Sequence, residues 1–438
     1  MEPVIYVVAA VVFFALIMTS IALHELGHLI PGKLFDVKTT QYFVGFGKTL
    51  WSRRKGETEY GVKLIPLGGY CRFVGMYPPE KGADAFDGSG RVRAARTGIF
   101  QSLADQARAA EWEDIRPEDD GRLFYQKKTW QKLIIMFGGP FMNLLLAFVI
   151  MLCVTGFYGL PRETLTVAQV SECVIPATRA DQRCTDADAK TPAYLAGVKA
   201  GDRIVRFNGT VVHDWTQLSG LIRGNLDRPL TLVVQRGGRD VTLKQVDTVV
   251  TGVPDTWDPS KLVEAGFLGV SPIVRVEQGG PLTVLGDMWQ MTEQSAYAIV
   301  HFPVKVFHTA ANLVTGKPRD PYGPMSIVGA SRVAGEVATT DQLTDGAKAA
   351  QTFYLLGQVN LFVALFNFVP LMPLDGGHIA GALYEALKRR LARLFGRPDP
   401  GHADTARMLP VAYLVGAVIA VSGVILILAD VIDPIRLL

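Results

Sequence analysis

VIYVVAAVVFFALIMTSIALHELGH, residues 4–28, is the stretch on which the reading of this chain turns. From Val4 to Leu23 it carries no charged side chain and is almost wholly apolar, long enough for one helix to span a hydrocarbon core. His24, Glu25 and His28 then arrive within five residues. Positions four apart share a helix face, so the two imidazoles project together and can share a metal, with Glu25 beside the first. Ionisable groups in a membrane helix are costly and mark function. A bound cation accounts for two histidines and a glutamate there. H-E-x-x-H is the pattern of zinc hydrolases, in which the glutamate acts as general base on water beside the metal.

Working outward, the 438 residues suffice for two or three domains, and their 49% hydrophobic content falls in blocks. Four blocks read as spans, about 4–30, 133–158, 352–371 and 409–430. The first lacks a basic n-region and a small-residue cleavage site, so it reads as a retained span. A weaker amphipathic stretch, about 283–315, carries Asp287, Glu293, His301, Lys305 and His308 and reads as an interfacial or external helix. A net charge of +3 makes no case for nucleic acid. Basic residues crowd the links after the first span (Lys33, Lys38, Lys48, Arg53, Arg54, Lys55), before the second (Arg122, Lys127, Lys128, Lys132) and between the last two (Lys388, Arg389, Arg390, Arg393, Arg397). The positive-inside rule places these links in the cytoplasm and both termini, with residues 160–350, outside.

Cys173 and Cys184 fall in that outer region, where an oxidising compartment allows a disulfide. The bridge is favoured over two free thiols and would stabilise a short loop by about 2–3 kcal/mol. Cys71 and Cys153 read as structural.

A catalytic zinc takes three protein ligands. Asp375 stands out in Asn367-Phe368-Val369-Pro370-Leu371-Met372-Pro373-Leu374-Asp375-Gly376-Gly377-His378, where prolines and glycines break the helix directly after the third span. Taken alone, Asp375 reads better as the N-cap of a helix beginning near Gly377. Depth argues for the metal: with the first helix ending near Pro31, His24 lies about 10 Å inside its cytoplasmic end, a level Asp375 also reaches.

His24-Glu25-Leu26-Gly27-His28 in a first span and Leu374-Asp375-Gly376-Gly377-His378 after a late one resemble the site-2 protease family of intramembrane zinc metalloproteases. Gly45-Phe46-Gly47, Ile65-Pro66-Leu67-Gly68-Gly69-Tyr70 and Gly139-Pro140-Phe141-Met142-Asn143 extend the match. A stretch at about 162–250, with Thr191 to Gly209 as its core, looks like a single PDZ domain, as in actinobacterial four-span members. The resemblance implies Zn2+ held by His24, His28 and Asp375, with Glu25 as general base. It gives Asn367 to the substrate backbone or the oxyanion, against a plain helix–helix hydrogen bond. Asn360 reads as a packing group, and His213, His301, His308 and His402 as ordinary.

The expected fold is a multi-pass α-helical membrane protein with about four transmembrane helices, a membrane-associated β-hairpin and an extracytoplasmic α+β PDZ domain. Its parts are 1–78 (first span, zinc motif, hairpin), 79–125 (cytoplasmic insert, with about 78–120 read as mobile and Gln101–Trp112 as a short helix), 126–160 (second span), 161–250 (PDZ), 251–350 (linker and amphipathic helices) and 351–438 (last two spans). The resemblance implies cleavage of single-pass membrane proteins, such as pre-cleaved anti-sigma factors or remnant signal peptides. It places the enzyme in the inner membrane, among lipid, with the metal nearer the cytoplasmic face. Two rivals stand: a scaffold with a structural metal and a PDZ binding role, and an H-E-x-x-H protease using Glu385 as third ligand.

Overall fold

The computed structural model describes residues 2–78, 115–175, 179, 181, 183–403 and 405–435. It begins with α1 (Glu2–Leu34), β1 (Thr39–Lys55), β2 (Thr58–Phe73), α2 (Thr129–Phe157) and β3 (Leu160–Val170). There follow α3 (Pro192–Ala196), β4 (Arg203–Phe207), β5 (Thr210–Val211), α4 (Trp215–Gly224), β6 (Pro229–Leu230), β7 (Leu232–Arg236), β8 (Arg239–Thr242) and β9 (Val246–Asp247). β10 (Val249–Pro254), β11 (Leu262–Phe267) and β12 (Val270–Glu277) precede α5 (Pro281–Thr315), α6 (Ile327–Thr339), α7 (Asp345–Asn367), α8 (Asp375–Leu394) and α9 (Leu409–Ile432). Val154–Gly280 with Asp320–Tyr322 forms one compact unit and the other described residues a second.

In the helical unit, α1, α2, α7 and α9 are long and apolar enough to cross a membrane. Pro31 does not stop α1, because a proline near a helix end removes few bonds; the helix runs to Leu34, and Asp36 turns the chain at φ +52. His24 therefore lies about 15 Å inside that end, deeper than expected. α7 likewise ends at Asn367, four residues short of the expected 371, and starts at Asp345 because Thr344 caps it through the Ala347 N–H. Phe13 and Ile17 of α1 pack on Ala330 and Ala334 of α6 and Leu356 of α7. Residues 283–315 fall inside the single 35-residue helix α5, whose Val284 and Met288 pack against Ala147 and Met151 of α2 and Leu361 of α7.

β1 and β2, 17 and 16 residues long, pair antiparallel as the expected hairpin. Gln41–Val44 is flanked on one side by Gly69–Arg72 and on the other by Glu59–Val62. The Tyr42 hydroxyl donates to the Ala22 carbonyl at 2.7 Å, fixing this sheet to α1. The expected helix at Gln101–Trp112 lies outside the described residues. The end of that insert, beyond the stretch 78–120 read as mobile, is built in firmly. Leu123 is buried beside Val74 and Tyr125, and the Phe124 N–H donates to the Val74 carbonyl at 3.0 Å.

In the β-rich unit the main sheet runs β12-β3-β4-β7-β8, with β5 on β4. Val167, Ile204, Leu218, Leu230, Leu232 and Val234 form its core. α4 starts at Trp215, as its sequence suggests, because Asp214 caps it through the Gln217 N–H. This unit extends to Gly280, so residues 251–280, expected in a linker, belong to it. The reason is long-range: β12 pairs with β3 along its length, which no local signal announces. The Cα atoms of Cys173 and Cys184 are 5.6 Å apart, a separation a disulfide can bridge.

Candidate metal centre

His24 and His28 sit on one face of α1 with their Nε2 atoms 3.3 Å apart. Asp375 comes from the first residue of α8. Sequence left open a helix beginning near Gly377 with Asp375 as its cap; the helix instead begins at Asp375, and its N-cap, Leu374, has no side-chain cap bond. The Asp375 carboxylate is therefore not spent on capping. Gly376 and Gly377 explain the tight entry: a Cβ on Gly376 would overlap the Val369 carbonyl, and one on Gly377 would lie 2.6 Å from the Met372 nitrogen. Only glycines let α8 start directly against the segment leaving α7.

The result is a triangle. Asp375 Oδ2 lies 3.3 Å from His24 Nε2 and 3.3 Å from His28 Nε2. Both histidines are buried. His28 Nδ1 lies 2.8 Å from the Ile135 carbonyl of α2. A nitrogen facing a carbonyl must carry the proton, so His28 Nε2 offers a lone pair to the triangle. Asp375 Oδ2 is buried with no hydrogen-bond partner despite those two 3.3 Å separations, and His24 Nδ1 has none either. The Asp375 oxygen thus faces two imidazole nitrogens without a hydrogen bond of good geometry to either. Two ligand atoms at about 2.1 Å from a tetrahedral zinc stand about 3.4 Å apart, which is the edge of this triangle. The donor set fits zinc, and among the described residues it is the one His/Cys/Asp/Glu cluster of that kind.

Gly139 of α2 closes the site: a Cβ there would overlap His28 Nε2 and lie 2.7 Å from His24 Nε2. One residue earlier, Gly138 meets Gly27 of α1 so closely that a Cβ on either would overlap the other's carbonyl. Glu25 stands against β2. A Cβ on Gly69 would be 3.0 Å from Glu25 Cγ, and the Cys71 N–H bonds its carboxylate. The sequence reading missed these supports, Gly139 and the Ile135 carbonyl above all. The one signal for Gly139 was its place in Gly139-Pro140-Phe141-Met142-Asn143, which was quoted only for its resemblance.

Other candidates separate cleanly. Asn367 ends α7 and donates from Nδ2 to the Val363 carbonyl at 3.1 Å. Asn360 donates to Ser20 Oγ at 3.1 Å, linking α7 to α1. His378 feels the charges of Asp375 and His28 but is outside the cluster. Glu385 is not a third ligand: its carboxylate lies 3.3 Å from Lys132 Nζ and 3.3 Å from His402 Nδ1. Burial pushes the Glu385 carboxyl up, but the His402 bond, the Lys132 charge and the Ala403 N–H hold it at about 2. His402, read as ordinary, is thus part of an ion cluster.

Residues 12–397 match peptidase family M50. The chain belongs to that family. It is 31% identical over 447 residues to zinc metalloprotease Rip1 of Mycolicibacterium smegmatis, with 98% of each chain covered. Against Rip1 of Mycobacterium tuberculosis the figures are 31% over 446 residues, with 98% of this chain and 99% of the relative. Metalloprotease MmpA of Caulobacter vibrioides is 26% identical over 385 residues, 85% of each. The protein is therefore a zinc metalloendopeptidase of the site-2 protease family and a membrane protein, and Zn2+ is its cofactor. The scaffold reading falls.

Proposed function

We propose that this enzyme cuts transmembrane segments of single-pass proteins inside the bilayer, with zinc held by His24, His28 and Asp375 and with Glu25 as catalytic base. The observation that carries the reading is the buried 3.3 Å triangle of Nε2, Nε2 and Oδ2 on helices apolar enough to lie in a membrane. Zinc, when bound, supplies a Lewis acid that makes water acidic and polarises a carbonyl. Glu25 takes the proton from the attacking water and delivers it to the departing amine. The Ile135 carbonyl keeps His28 in the tautomer that offers Nε2 inward. Gly139 leaves room where any side chain would fill the centre. Asn367 spends one N–H on Val363, so its Oδ1 and second N–H serve the substrate backbone or the oxyanion.

A membrane helix hides its peptide bonds in hydrogen bonds, so the scissile stretch is opened and held extended first; the edge of the β1–β2 sheet receives it by strand addition. The β-rich unit acts as a PDZ domain that filters substrates outside the cytoplasm, with both termini on its side of the inner membrane and the metal nearer the cytoplasmic face. A Cys173–Cys184 bridge suits that compartment. Substrates of this class are pre-trimmed anti-sigma factors or remnant signal peptides.

The test is cleavage of a tagged single-span reporter by purified protein in detergent, wild type beside Glu25→Gln, with zinc measured in both. Cleavage lost by about 10²–10⁴-fold with zinc retained supports Glu25 as base. Equal cleavage by both overturns the assignment.

A further inference from the structure

α8 carries Asp375 at its first residue, and few of its side chains are fully buried. Gly376, Gly377, Ala382 and Glu385 are its buried residues, whereas Leu383, Tyr384, Leu387 and Leu391 are exposed. It is gripped at its start by the close glycine packing described above. Ile379 packs against the cluster that holds Phe73 and Ile135, and the polar grip is Glu385, ten residues and about 15 Å beyond Asp375. Glu385 is 5% exposed and Lys132 is 4% exposed, a charged pair taken almost wholly out of water. Lys132 Nζ lies 3.3 Å from both carboxylate oxygens. The Ala403 N–H donates to Oε2 at 3.1 Å, and Arg389 Nη2 lies 3.3 Å from Oε1. Burying an ion pair is a weak source of stability, because desolvation cancels most of the attraction. Such pairs are better explained by the geometry they fix.

That geometry is specific here. Lys132 is three residues before Ile135 on α2, whose carbonyl meets His28 Nδ1. α2 therefore orients one ligand helix through Ile135 and grips the other through Lys132, within a single helical turn. Metal ligands must lie within about 0.2 Å of their places. Glu385 lies on the same helix as Asp375, so gripping it fixes the direction of the α8 axis and with it the direction in which the Asp375 carboxylate points.

We propose that Lys132 and Glu385 form a clamp that positions α8, and through it Asp375, at metal distance from His24 and His28. They are positioning residues and touch neither metal nor substrate. This deepens the zinc-site assignment proposed above and rests on it.

The experiment uses the full chain in detergent and follows zinc release to a chelator, with kcat and KM on the reporter, for Glu385→Gln, Lys132→Met, Lys132→Arg and Asp375→Asn. Outer-sphere supports are worth about 10–100-fold in metal affinity or activity. Glu385→Gln and Lys132→Met should release zinc about 10–100-fold faster, with kcat reduced, KM near wild type and excess zinc restoring part of kcat. Lys132→Arg should recover most of the loss. A lower melting temperature with unchanged zinc release would overturn the clamp and leave a merely structural pair. If Asp375→Asn itself leaves zinc release unchanged, the ligand assignment fails instead. Should the single variants not fold, Lys132→Met combined with Glu385→Leu leaves neither charge buried alone; unchanged zinc release from that folded pair also overturns the proposal.

Discussion

At the centre of the β-rich unit, Val167, Ile204, Leu218, Leu230, Leu232 and Val234 pack side chain to side chain, and the ion pair of buried Asp202 with half-exposed Arg236 stands at the margin. The helical unit is built the other way about. Its exterior is apolar, with Val4, Val8, Leu145, Leu414 and Val424 exposed, and its interior holds His24, His28, Lys132, Asn143, Asn360, Glu385 and Asp430. Arg319 and Asp430 meet at 2.6 Å, both almost fully buried. In a water-facing domain the buried apolar set tells only that the chain folds. In helices that face lipid, apolar side chains are unexceptional and each buried polar group calls for a reason. The difference teaches where to look for function: in the inverted unit, among its interior polar groups.

Among variants that keep Glu25 and the three ligands, the largest effect should come from Gly139→Ala, which puts a methyl group against both Nε2 atoms. Displacement of reacting groups by about 1 Å costs roughly 10²-fold. Cleavage and zinc content should both fall to that extent, while the melting of the β-rich unit stays put. Normal zinc content in this variant would mean that the metal sits elsewhere.

Next comes Leu218→Ala in the opposite unit. Leu218 is fully buried. Its truncation should cost about 2–5 kcal/mol in the unfolding of that unit, read by denaturant titration. Zinc content should not change. Loss of zinc together with the fold would show that the two units unfold as one and would break the comparison.

The smallest effect is acid-dependent and confined to Asp202. Burial pushes its carboxyl up, but two hydrogen bonds from Arg236, at 2.7 and 2.8 Å, and one from the Lys199 N–H hold it below the ordinary value. A depressed carboxyl contributes stability above its unfolded pKa, about 3.9, and loses it as pH falls through the lower folded value. The gap in melting temperature between wild type and Asp202→Asn should therefore be widest near neutrality and shrink below about pH 4. A gap that is flat with pH would show that the Arg236 pairing contributes nothing through charge.

Much of this was legible in the chain. Four apolar blocks gave four helices of spanning length, within four residues of their expected ends except at Asp345, where the Thr344 cap decides. His24 and His28 share a face because helix period alone puts them there. Less legible was everything that depends on a partner far away in sequence. The 251–280 segment joined the β-rich unit only because β12 found β3. Arg122 to Tyr125 carry no strand signal of their own, yet Lys38 and Val74 supply them with backbone partners.

The sequence by itself determined the helix-borne half of the centre, since a 3.6-residue period and a charge-free run need no outside partner to be read. Only the tertiary structure decided the other half. It brought Asp375 to 3.3 Å from both imidazoles, set the Ile135 carbonyl behind His28 and buried Lys132 against Glu385. Those contacts join residues about 100 to 350 positions apart, and no local propensity encodes a distance across the fold; the packing of glycine against backbone at positions 27, 138, 376 and 377 sets it.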